Sequence, residues 1–159
     1  MVISFAGPGS FKIQTGGVTI LTEEFSGEVS GRMKPDIFIK TTNSKSSSSA
    51  EHVIYGPGEY EIKDIEVKGL PNFVYLIKTE EMRLGFAGGE DADVLFIPDT
   101  ADGAKLARQL HPKIIISSTG SCKELEKEFG KKAETADKLV IKKKEVPVEP
   151  LSKLICLKV

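Results

Sequence analysis

"DADVLFIPDTADGAKLARQLHPKIIIS", residues 91–117, carries the clearest signal for the fold of this chain. Two short apolar runs, Val94 to Ile97 and Lys113 to Ile116, have the composition of strands that are buried on both faces of a sheet. Between them, apolar residues recur at helical spacing, which predicts a helix near Thr100 to Leu110. The stretch therefore indicates a strand, a helix and a second strand, as in a partly parallel sheet.

The segment that follows, "SCKELEKEFG" at residues 121–130, repeats this step. Its apolar residues lie on one helical face, Ser121 and Glu124 have the spacing of a capping box, and Gly130 is a typical stop signal. We therefore predict a second helix near Cys122 to Phe129. Because each helix has a single apolar stripe, both should cover outer faces of two sheets that pack face to face.

The first half of the chain has the period of strands. Apolar and polar residues alternate on both sides of Thr15-Gly16-Gly17, which is the pattern of a β-hairpin with one buried face. Short alternating runs separated by turn residues continue to about Gly88. We predict strands at Asp36 to Ile39, Val53 to Tyr55, Tyr60 to Ile62, Ile65 to Val67, Phe73 to Ile77 and Arg83 to Ala87, with two more near the end at Lys138 to Ile141 and Leu154 to Val159.

The composition is that of one globular domain, residues 1–159, because 40% of the residues are hydrophobic and 28% are charged. The 22 basic and 23 acidic residues are spread along the chain and give a formal net charge of -1. This balance argues against nucleic acid or an anionic membrane as a partner. No basic segment precedes an apolar run near Met1, and no run approaches the roughly 18 apolar residues of a membrane span. We expect a cytoplasmic protein.

The cysteines and histidines suggest structural roles. Cys122 and Cys156 have neither a second cysteine nor a histidine at zinc-finger spacing, so we expect two unpaired, buried thiols. His52 begins a predicted strand and His111 ends a predicted helix, where an imidazolium suits the helix dipole. We interpret both histidines as structural.

Four segments, in this order, resemble a small branch of the metallo-β-lactamase-fold hydrolases. They are "FAGPGSFKIQTGGVTILTEEF" (5–25), "PDIFIKTTNSKSSSS" (35–49), "YGPGEYEIKDIEVKGLP" (55–71) and "LGFAGGEDADVLFIPDTADGAKLARQLHPKIIISSTG" (84–120). The resemblance covers nearly the whole chain. It implies an α+β fold, a four-layer αβ/βα sandwich of the metallo-β-lactamase type, here shortened and with few helices.

The family binds two zinc ions with an H-x-H-x-D-H loop that follows a strand, because such a site needs several imidazoles and a carboxylate at one sheet edge. The resemblance places Thr42, Ser44, Ser46 and Ser47 at the four ligand positions of that loop. Hydroxyl groups are poor zinc ligands, and the ammonium group of Lys45 among them would repel a dication. This loop therefore departs from the family pattern throughout.

The other ligand positions depart as well. Asn72 lies near the next histidine of the family, Gly89 stands where a bridging aspartate would follow, and Thr119 stands at the last histidine. The early histidine found in many members is also replaced, since the first turn reads Gly-Pro-Gly-Ser at residues 7–10. The resemblance thus supports the scaffold and argues against the reaction.

Two interpretations of the Ser-rich segment stay open. It is either a solvated loop left after the ligands were lost, or an anion pocket. In the pocket, Ser44, Lys45, Ser46 and Ser47 would receive a phosphate or carboxylate through hydroxyl, ammonium and backbone N–H groups. The Gly-rich segments at 7–10 and 86–91 lack the features of a nucleotide fingerprint, so we assign them as turns without a cofactor.

An enzyme with an altered site is a further alternative, built from Glu23, Asp36, His52, Asp91 and Asp99. The acidic residues around the strand at residues 94–97 have two interpretations. They form a Mg²⁺ or Ca²⁺ site, or they cap helices, which would account for Asp99 and Asp102.

We therefore predict a metal-free protein without hydrolase activity that acts as a binding or assembly module. The alternatives are a divergent metal-dependent hydrolase and a binder of a small anionic ligand at the former active site. The sequence identifies no cofactor and no specific partner. Homo-oligomers are possible, because a strand edge such as Leu154 to Val159 can pair between chains.

Overall fold

The computed structural model describes residues 1–22, 34–43 and 50–158. These residues form fourteen β-strands, two α-helices and a 3-10 turn at Lys143–Glu145. The first sheet contains β1 (Val2–Gly7), β2 (Ser10–Thr15), β3 (Val18–Thr22), β4 (Ile37–Lys40), β5 (His52–Tyr55) and β13 (Lys138–Val140). The second contains β6 (Gly58–Ile62), β7 (Ile65–Leu70), β8 (Val74–Thr79), β9 (Met82–Phe86), β10 (Val94–Ile97), β11 (Ile114–Ser117), β12 (Glu134–Ala136) and β14 (Lys153–Leu157). The helices are α1 (Ala101–Leu110) and α2 (Lys123–Phe129).

The strand order is β13-β1-β2-β3-β4-β5 in the first sheet and β12-β14-β11-β10-β9-β8-β7-β6 in the second. In the second sheet, neighbouring strands pair in parallel along the series β9, β10, β11, β14 and β12. They pair antiparallel along the series β6, β7, β8 and β9. The α+β sandwich with few helices that the sequence predicts is therefore confirmed.

The predicted hairpin is β2 and β3, in which Thr15 pairs with Val18. Gly16 and Gly17 take φ values of 54° and 77°, a region that side chains disfavour and that a tight two-residue turn requires. Ile13 is fully buried, as the alternating pattern predicts. The local sequence therefore predicts this part of the first sheet correctly.

The core lies between the two sheets and joins both. Apolar side chains alternate along most of the strands, so the inner face of each sheet is apolar, whereas β10 and β11 are buried on both faces. The inner residues include Ile3, Phe11, Ile13, Ile20, Ile37 and Ile39 from the first sheet, and Val67, Tyr75, Ile77, Leu84, Phe96 and Ile116 from the second. A hydrogen bond of 2.9 Å between Thr15 Oγ1 and Thr79 Oγ1 links the sheets within this core.

Helices α1 and α2 pack on the outer face of the second sheet, where they form a second apolar cluster. Its members include Leu95, Ile97, Ile115 and Leu154 from the strands and Ala104, Ala107 and Leu125 from the helices. Both predicted helices are confirmed. In the described part of the chain, no helix combines the length and the apolar character that crossing a membrane requires.

The helix caps differ in part from the prediction. Thr100 caps α1, since its Oγ1 accepts the N–H of Gly103 at 3.0 Å. Asp99 is a cap, but of α2, because its Oδ1 accepts the N–H of Leu125 at 2.9 Å. The predicted capping box of Ser121 and Glu124 is wrong: α2 has Cys122 as its N-cap, without a side-chain cap hydrogen bond, and Asp99 from the preceding βα step satisfies the N–H of Leu125 instead.

The expectation that Leu154 to Val159 forms a sheet edge is also wrong. β14 lies between β11 and β12, and pairs in parallel with both. The sequence signal for β12 is weak because the strand has only three residues, Glu134 to Ala136, and the first two of them are polar. The sheet edges among the described residues are β13, β5, β12 and β6.

Candidate functional site

Several loops meet at one edge of the sandwich. In the second sheet β9, β10 and β11 run in parallel, so the residues that follow them lie at the same edge. β8 runs antiparallel to β9, with Tyr75 opposite Phe86, so the loop before β8 lies there too. The loops of the second sheet at this edge are residues 71–73, 87–89, 98–100 and 118–120.

The first sheet adds two loops to this edge. The turn between β1 and β2 reaches it, because the N–H of Gly9 donates to the carbonyl of Ser118 at 2.7 Å. β3 has the direction of β1, and β4 runs parallel to β3, so residues 41–43 reach the same edge. We call these loops together the mouth: residues 7–10, 41–43, 71–73, 87–89, 98–100 and 118–120.

The four described positions that the resemblance assigns to metal ligands, Thr42, Asn72, Gly89 and Thr119, all lie in mouth loops. The structure therefore brings these sequence-predicted residues to one edge. Ser44, Lys45, Ser46 and Ser47 lie outside the described residues, so the anion pocket there stays a prediction. The equivalence of all these positions to the ligands of the family also stays a prediction.

One side of the mouth is held by Tyr55, at the end of β5. Its hydroxyl donates to Oδ1 of Asn43 at 3.0 Å, and its ring lies 5.8 Å from that of Phe73. The ammonium group of Lys40 lies 5.2 Å from the centre of the Tyr55 ring, within the range of a cation–π contact. Tyr55 therefore connects the loop after β4 to the loop before β8.

Tyr75 fastens the two sheets beneath these loops. Its side chain is fully buried, and its hydroxyl donates to the carbonyl of Lys40 at 2.7 Å. The same hydroxyl accepts the N–H of Gly56 at 2.9 Å. Gly69 allows this approach, because a Cβ at that position would collide with the carbonyl oxygen of Gly56. One phenol thus satisfies two backbone groups at the join of β5 and β6.

The turn after β9 leaves little space for a side chain at the predicted position of the bridging aspartate. Gly89 has a φ of 114°, and a Cβ built on it would lie 3.1 Å from Cδ1 of Leu76. At Gly88, with a φ of 157°, a Cβ would lie 2.9 Å from Cγ1 of Val74. The turn therefore packs directly against the outer side chains of β8.

The loop after β11 uses its hydroxyl groups internally. Thr119 Oγ1 lies 3.2 Å from Oγ of Ser117 and 3.4 Å from the carbonyl oxygen of Ser121. Ser117 is fully buried and its hydroxyl donates to the same carbonyl group. The hydroxyls of Ser117 and Thr119 thus stabilise the turn that leads into α2.

Four phenylalanine rings form a continuous apolar cluster at the mouth end of the core. Phe86 and Phe96 stack at 4.2 Å, Phe96 meets Phe11 edge to face at 4.7 Å, and Phe11 lies 5.5 Å from Phe5. The Phe5 ring also packs closely against Gly120, because a Cβ at that position would lie 3.0 Å from the ring. Aromatic packing therefore joins the strands of both sheets where their loops converge.

The two thiols lie under the rim of the mouth. Cys122 and Cys156 are buried and unpaired, as predicted. Burial raises the pKa of the Cys122 thiol, and the adjacent Cys156 thiol adds to this effect. Sγ of Cys156 lies 3.4 Å from the carbonyl oxygen of Gly120. Because the thiolate is disfavoured, Cys122 is unsuited to act as a nucleophile.

The alternative enzyme site is not brought together by the structure. Asp36 and His52 lie at the first ends of β4 and β5, opposite the mouth, and Asp36 binds Lys63 at 2.9 Å. Asp91 pairs with Arg83 at the start of β9, at 3.8 Å. Asp99 is at the mouth but caps α2. Glu23, the remaining member of this set, lies outside the described residues.

The chemistry of the described mouth residues does not fit a zinc pair. Thr42, Asn72 and Thr119 offer neutral oxygen or amide groups, and Gly89 offers no side chain. Zinc sites in proteins are built from imidazole, thiolate and carboxylate. Across residues 1–22, 34–43 and 50–158, no three His, Cys, Asp or Glu side chains are grouped closely enough to hold a metal ion.

Sequence reasoning missed Tyr75 and the phenylalanine cluster. Both depend on contacts between residues far apart in the chain, such as Tyr75 with Lys40 and Phe11 with Phe96. No pattern in β8 distinguishes Tyr75 in the sequence, since its neighbours Val74 and Leu76 are apolar as well.

No protein-family profile matches this chain, and neither does any curated protein. Solved structures do. A crystal structure described as a Zn-dependent hydrolase of the metallo-β-lactamase superfamily, from Thermotoga maritima, matches with a TM-score of 0.77 at 21% identity over 100% of both chains. A structure described as a metal-dependent hydrolase from Parabacteroides distasonis matches with a TM-score of 0.63 at 17% identity, over 80% of this chain and 87% of that one.

A variant of the β-hydroxylase CmlA is a more distant match, with a TM-score of 0.52 at 14% identity over 75% of this chain and 46% of the other. Identities this low establish the fold alone. The chain has the metallo-β-lactamase fold that its sequence segments predict.

Proposed function

We propose that this chain is a non-catalytic protein of metallo-β-lactamase fold, one domain spanning residues 1–159, that acts as a binding or assembly module. The observation that carries the proposal is the packing of Gly89 against Leu76 at the mouth, where a Cβ would lie 3.1 Å from Cδ1. A metal-bridging carboxylate at this position would take a φ that side chains rarely adopt and would require Leu76 to shift by a few tenths of an ångström.

The residue types at the mouth support the same conclusion. Zinc is held tightly by imidazole, thiolate and carboxylate groups, whereas hydroxyl groups remain protonated near neutral pH. Five of the positions that the resemblance assigns to metal ligands carry hydroxyl residues in this chain, namely Thr42, Ser44, Ser46, Ser47 and Thr119. A metal would thus meet neutral oxygens in place of imidazoles, so hydrolysis by a metal-activated water is not supported.

The core explains how the fold stands without metal. Residues of both sheets form one apolar cluster, and the phenylalanine rings extend it to the mouth. Tyr75 adds a hydrogen-bonded link between β4, β8 and the turn before β6. These contacts provide the stabilisation that metal coordination provides where it links loops in other proteins.

Elemental analysis of protein purified without chelator tests the proposal. We expect zinc, iron and manganese far below one atom per chain, and no change of the thermal midpoint after treatment with chelator. A matched variant carries Thr42→His, Ser44→His, Ser46→Asp and Ser47→His, and should bind metal only in part because Asn72, Gly89 and Thr119 remain. Stoichiometric metal in the unmodified protein would contradict the proposal.

We also propose a cytoplasmic location. Cys122 and Cys156 are unpaired and buried, and free thiols are the ordinary state in a reducing compartment. Cell fractionation followed by immunoblotting tests this proposal, which predicts the protein in the cytosolic fraction. Recovery with secreted or periplasmic marker proteins would contradict it.

A further inference from the structure

Four charged side chains form a row across the outer face of the second sheet. Glu61 on β6 stands opposite Glu66 on β7, Glu66 stands opposite Lys78 on β8, and Lys78 stands opposite Arg83 on β9. The neighbours of these residues in each strand point into the core, so all four point outward. The row therefore reads two acids followed by two bases, across roughly 14 Å at the usual strand spacing.

This order leaves two like-charge pairs directly opposite each other, Glu61 with Glu66 and Lys78 with Arg83. Such pairs are unfavourable in an isolated sheet. The attractive contacts within the chain are long: Lys78 lies 3.8 Å from Glu66, and Arg83 lies 3.8 Å from Asp91. Within the monomer, these two ion pairs offset the repulsion between the like charges only weakly, because solvent screens charged groups that are largely exposed.

The row lies along an open groove of about 1080 Å³. The groove also has apolar lining residues, namely Leu70, Val74, Leu76, Leu106 and Leu110. Its profile is asymmetric. On one side α1 and the turn at Gly88 to Asp91 form a wall, and on the other the sheet ends at the edge strand β6.

We propose that this groove is the interface of a homodimer, in which a second copy of the chain is bound across a two-fold axis that runs along the strands between β7 and β8. Rotation about this axis reverses the order of the strands. Glu61 and Glu66 of one copy then face Arg83 and Lys78 of the other, so each like-charge pair meets its opposite.

The same rotation matches the shapes of the two copies. The open side of the groove, at β6 of one copy, lies next to the wall that α1 and the turn after β9 form in the other copy. Leu70, at the end of β7, then lies near Val74, at the start of β8, of the partner copy. An isologous interface requires a surface that is complementary to itself, and here the row of four charged side chains and the apolar pair Leu70 and Val74 both reverse about one line.

Charge order favours a second copy over an unrelated partner. An acidic partner would leave Glu61 and Glu66 facing like charge, and a basic partner would leave Lys78 and Arg83 doing so. A partner with two bases followed by two acids satisfies all four, and a rotated copy supplies this order. The proposal goes beyond the function proposed above and does not depend on whether the mouth binds metal.

Two charge-reversal variants of the full chain test the interface. The first carries Glu61→Lys and Glu66→Lys, so its row is entirely basic; the second carries Lys78→Glu and Arg83→Glu, so its row is entirely acidic. By analytical ultracentrifugation we expect the wild type to dimerise and each variant alone to dimerise at least about tenfold more weakly, because like charges would meet. Mixing the two variants should restore a dimer that contains one chain of each.

Controls with equal charge changes lie outside the groove. They are Glu134→Lys with Glu149→Lys, and Lys142→Glu with Lys144→Glu, all at exposed positions. Both controls should dimerise as the wild type does, and circular dichroism should show that all variants are folded. A wild type that stays monomeric up to its solubility limit overturns the proposal, as does a mixture of the two folded variants that stays monomeric. Wild-type dimers that both variants retain would place the interface elsewhere and also overturn it.

Discussion

A Cβ built on Gly89 lies 3.1 Å from Cδ1 of Leu76, closer than side chains ordinarily approach. The φ of Gly89 is 114°, a value that favours glycine. The turn after β9 therefore takes a conformation that only glycine adopts without strain, at the position where the resemblance expects a metal-bridging carboxylate.

The Gly89→Asp variant should lose stability without gaining metal. The positive φ and the contact with Leu76 together should lower the free energy of unfolding by about 2–3 kcal/mol. Urea denaturation followed by circular dichroism measures the change. Gly16→Asp is a matched control, because Gly16 has a φ of 54° with no atom near its Cβ, and it should lose less stability. Equal losses in the two variants would refute the argument from packing.

Replacement of Tyr75 by Phe should weaken the join between the sheets. The variant leaves the N–H of Gly56 and the carbonyl of Lys40 without this hydroxyl, and should lower the free energy of unfolding by about 2 kcal/mol. Tyr60→Phe serves as the control, since Tyr60 is half-buried, and should change stability by less than about 0.5 kcal/mol. If both variants unfold at the same denaturant concentration, the hydroxyl of Tyr75 has no such role.

The carboxyl group of Asp36 should make the stability of the fold depend on pH in the acid range. The N–H of Thr19, and then the ammonium group of Lys63, hold the pKa of the Asp36 carboxyl below its usual value. The contribution of the carboxylate is present above the unfolded pKa of about 3.9 and is lost as pH falls through the lower folded pKa. Asp36→Asn should therefore cost about 1 kcal/mol at neutral pH and little in strong acid.

Thermal or urea unfolding across the acid range measures this difference between Asp36→Asn and the wild type. Asp64→Asn, in the exposed turn between β6 and β7, is the control and should follow the wild type at every pH. A gap between Asp36→Asn and the wild type that stays constant into strong acid would show that the carboxylate charge is not the cause.

The thiols should react only when the protein unfolds. Cys122 and Cys156 are buried, and burial raises the pKa of the Cys122 thiol. In a spectrophotometric titration near pH 8, the native protein should therefore react slowly, and denatured protein under non-reducing conditions should show two free thiols. Rapid reaction of the native protein would contradict the assigned burial, and the absence of free thiol after denaturation would contradict unpaired cysteines.

The sequence predicts those parts of the fold that depend on local pattern. The β2–β3 hairpin follows from alternation around Gly16 and Gly17, and α1 follows from the apolar spacing between two buried strands. The position of β14 inside the sheet was not predictable in this way. Its apolar residues are equally typical of an edge or an interior strand, and β12, which covers it, has no apolar pattern.

The candidate site was predictable in its location and less so in its contacts. Resemblance placed Thr42, Asn72, Gly89 and Thr119, and the strand directions bring their loops to one edge. The role of Asp99 as a cap of α2 was not predictable in detail, because it depends on how two βα steps pack against each other. Side-chain packing of this kind is determined by tertiary contacts that periodicity does not encode.

Calorimetric titration of the unmodified full chain with zinc, after removal of bound metal, tests the central claim most directly. At the positions that the resemblance assigns to the imidazole and carboxylate ligands of the family, this chain has hydroxyl, amide and glycine residues, so we predict no saturable heat at one or two zinc ions per chain. Stoichiometric zinc binding with sub-micromolar affinity would contradict this account and would indicate a metal-dependent hydrolase.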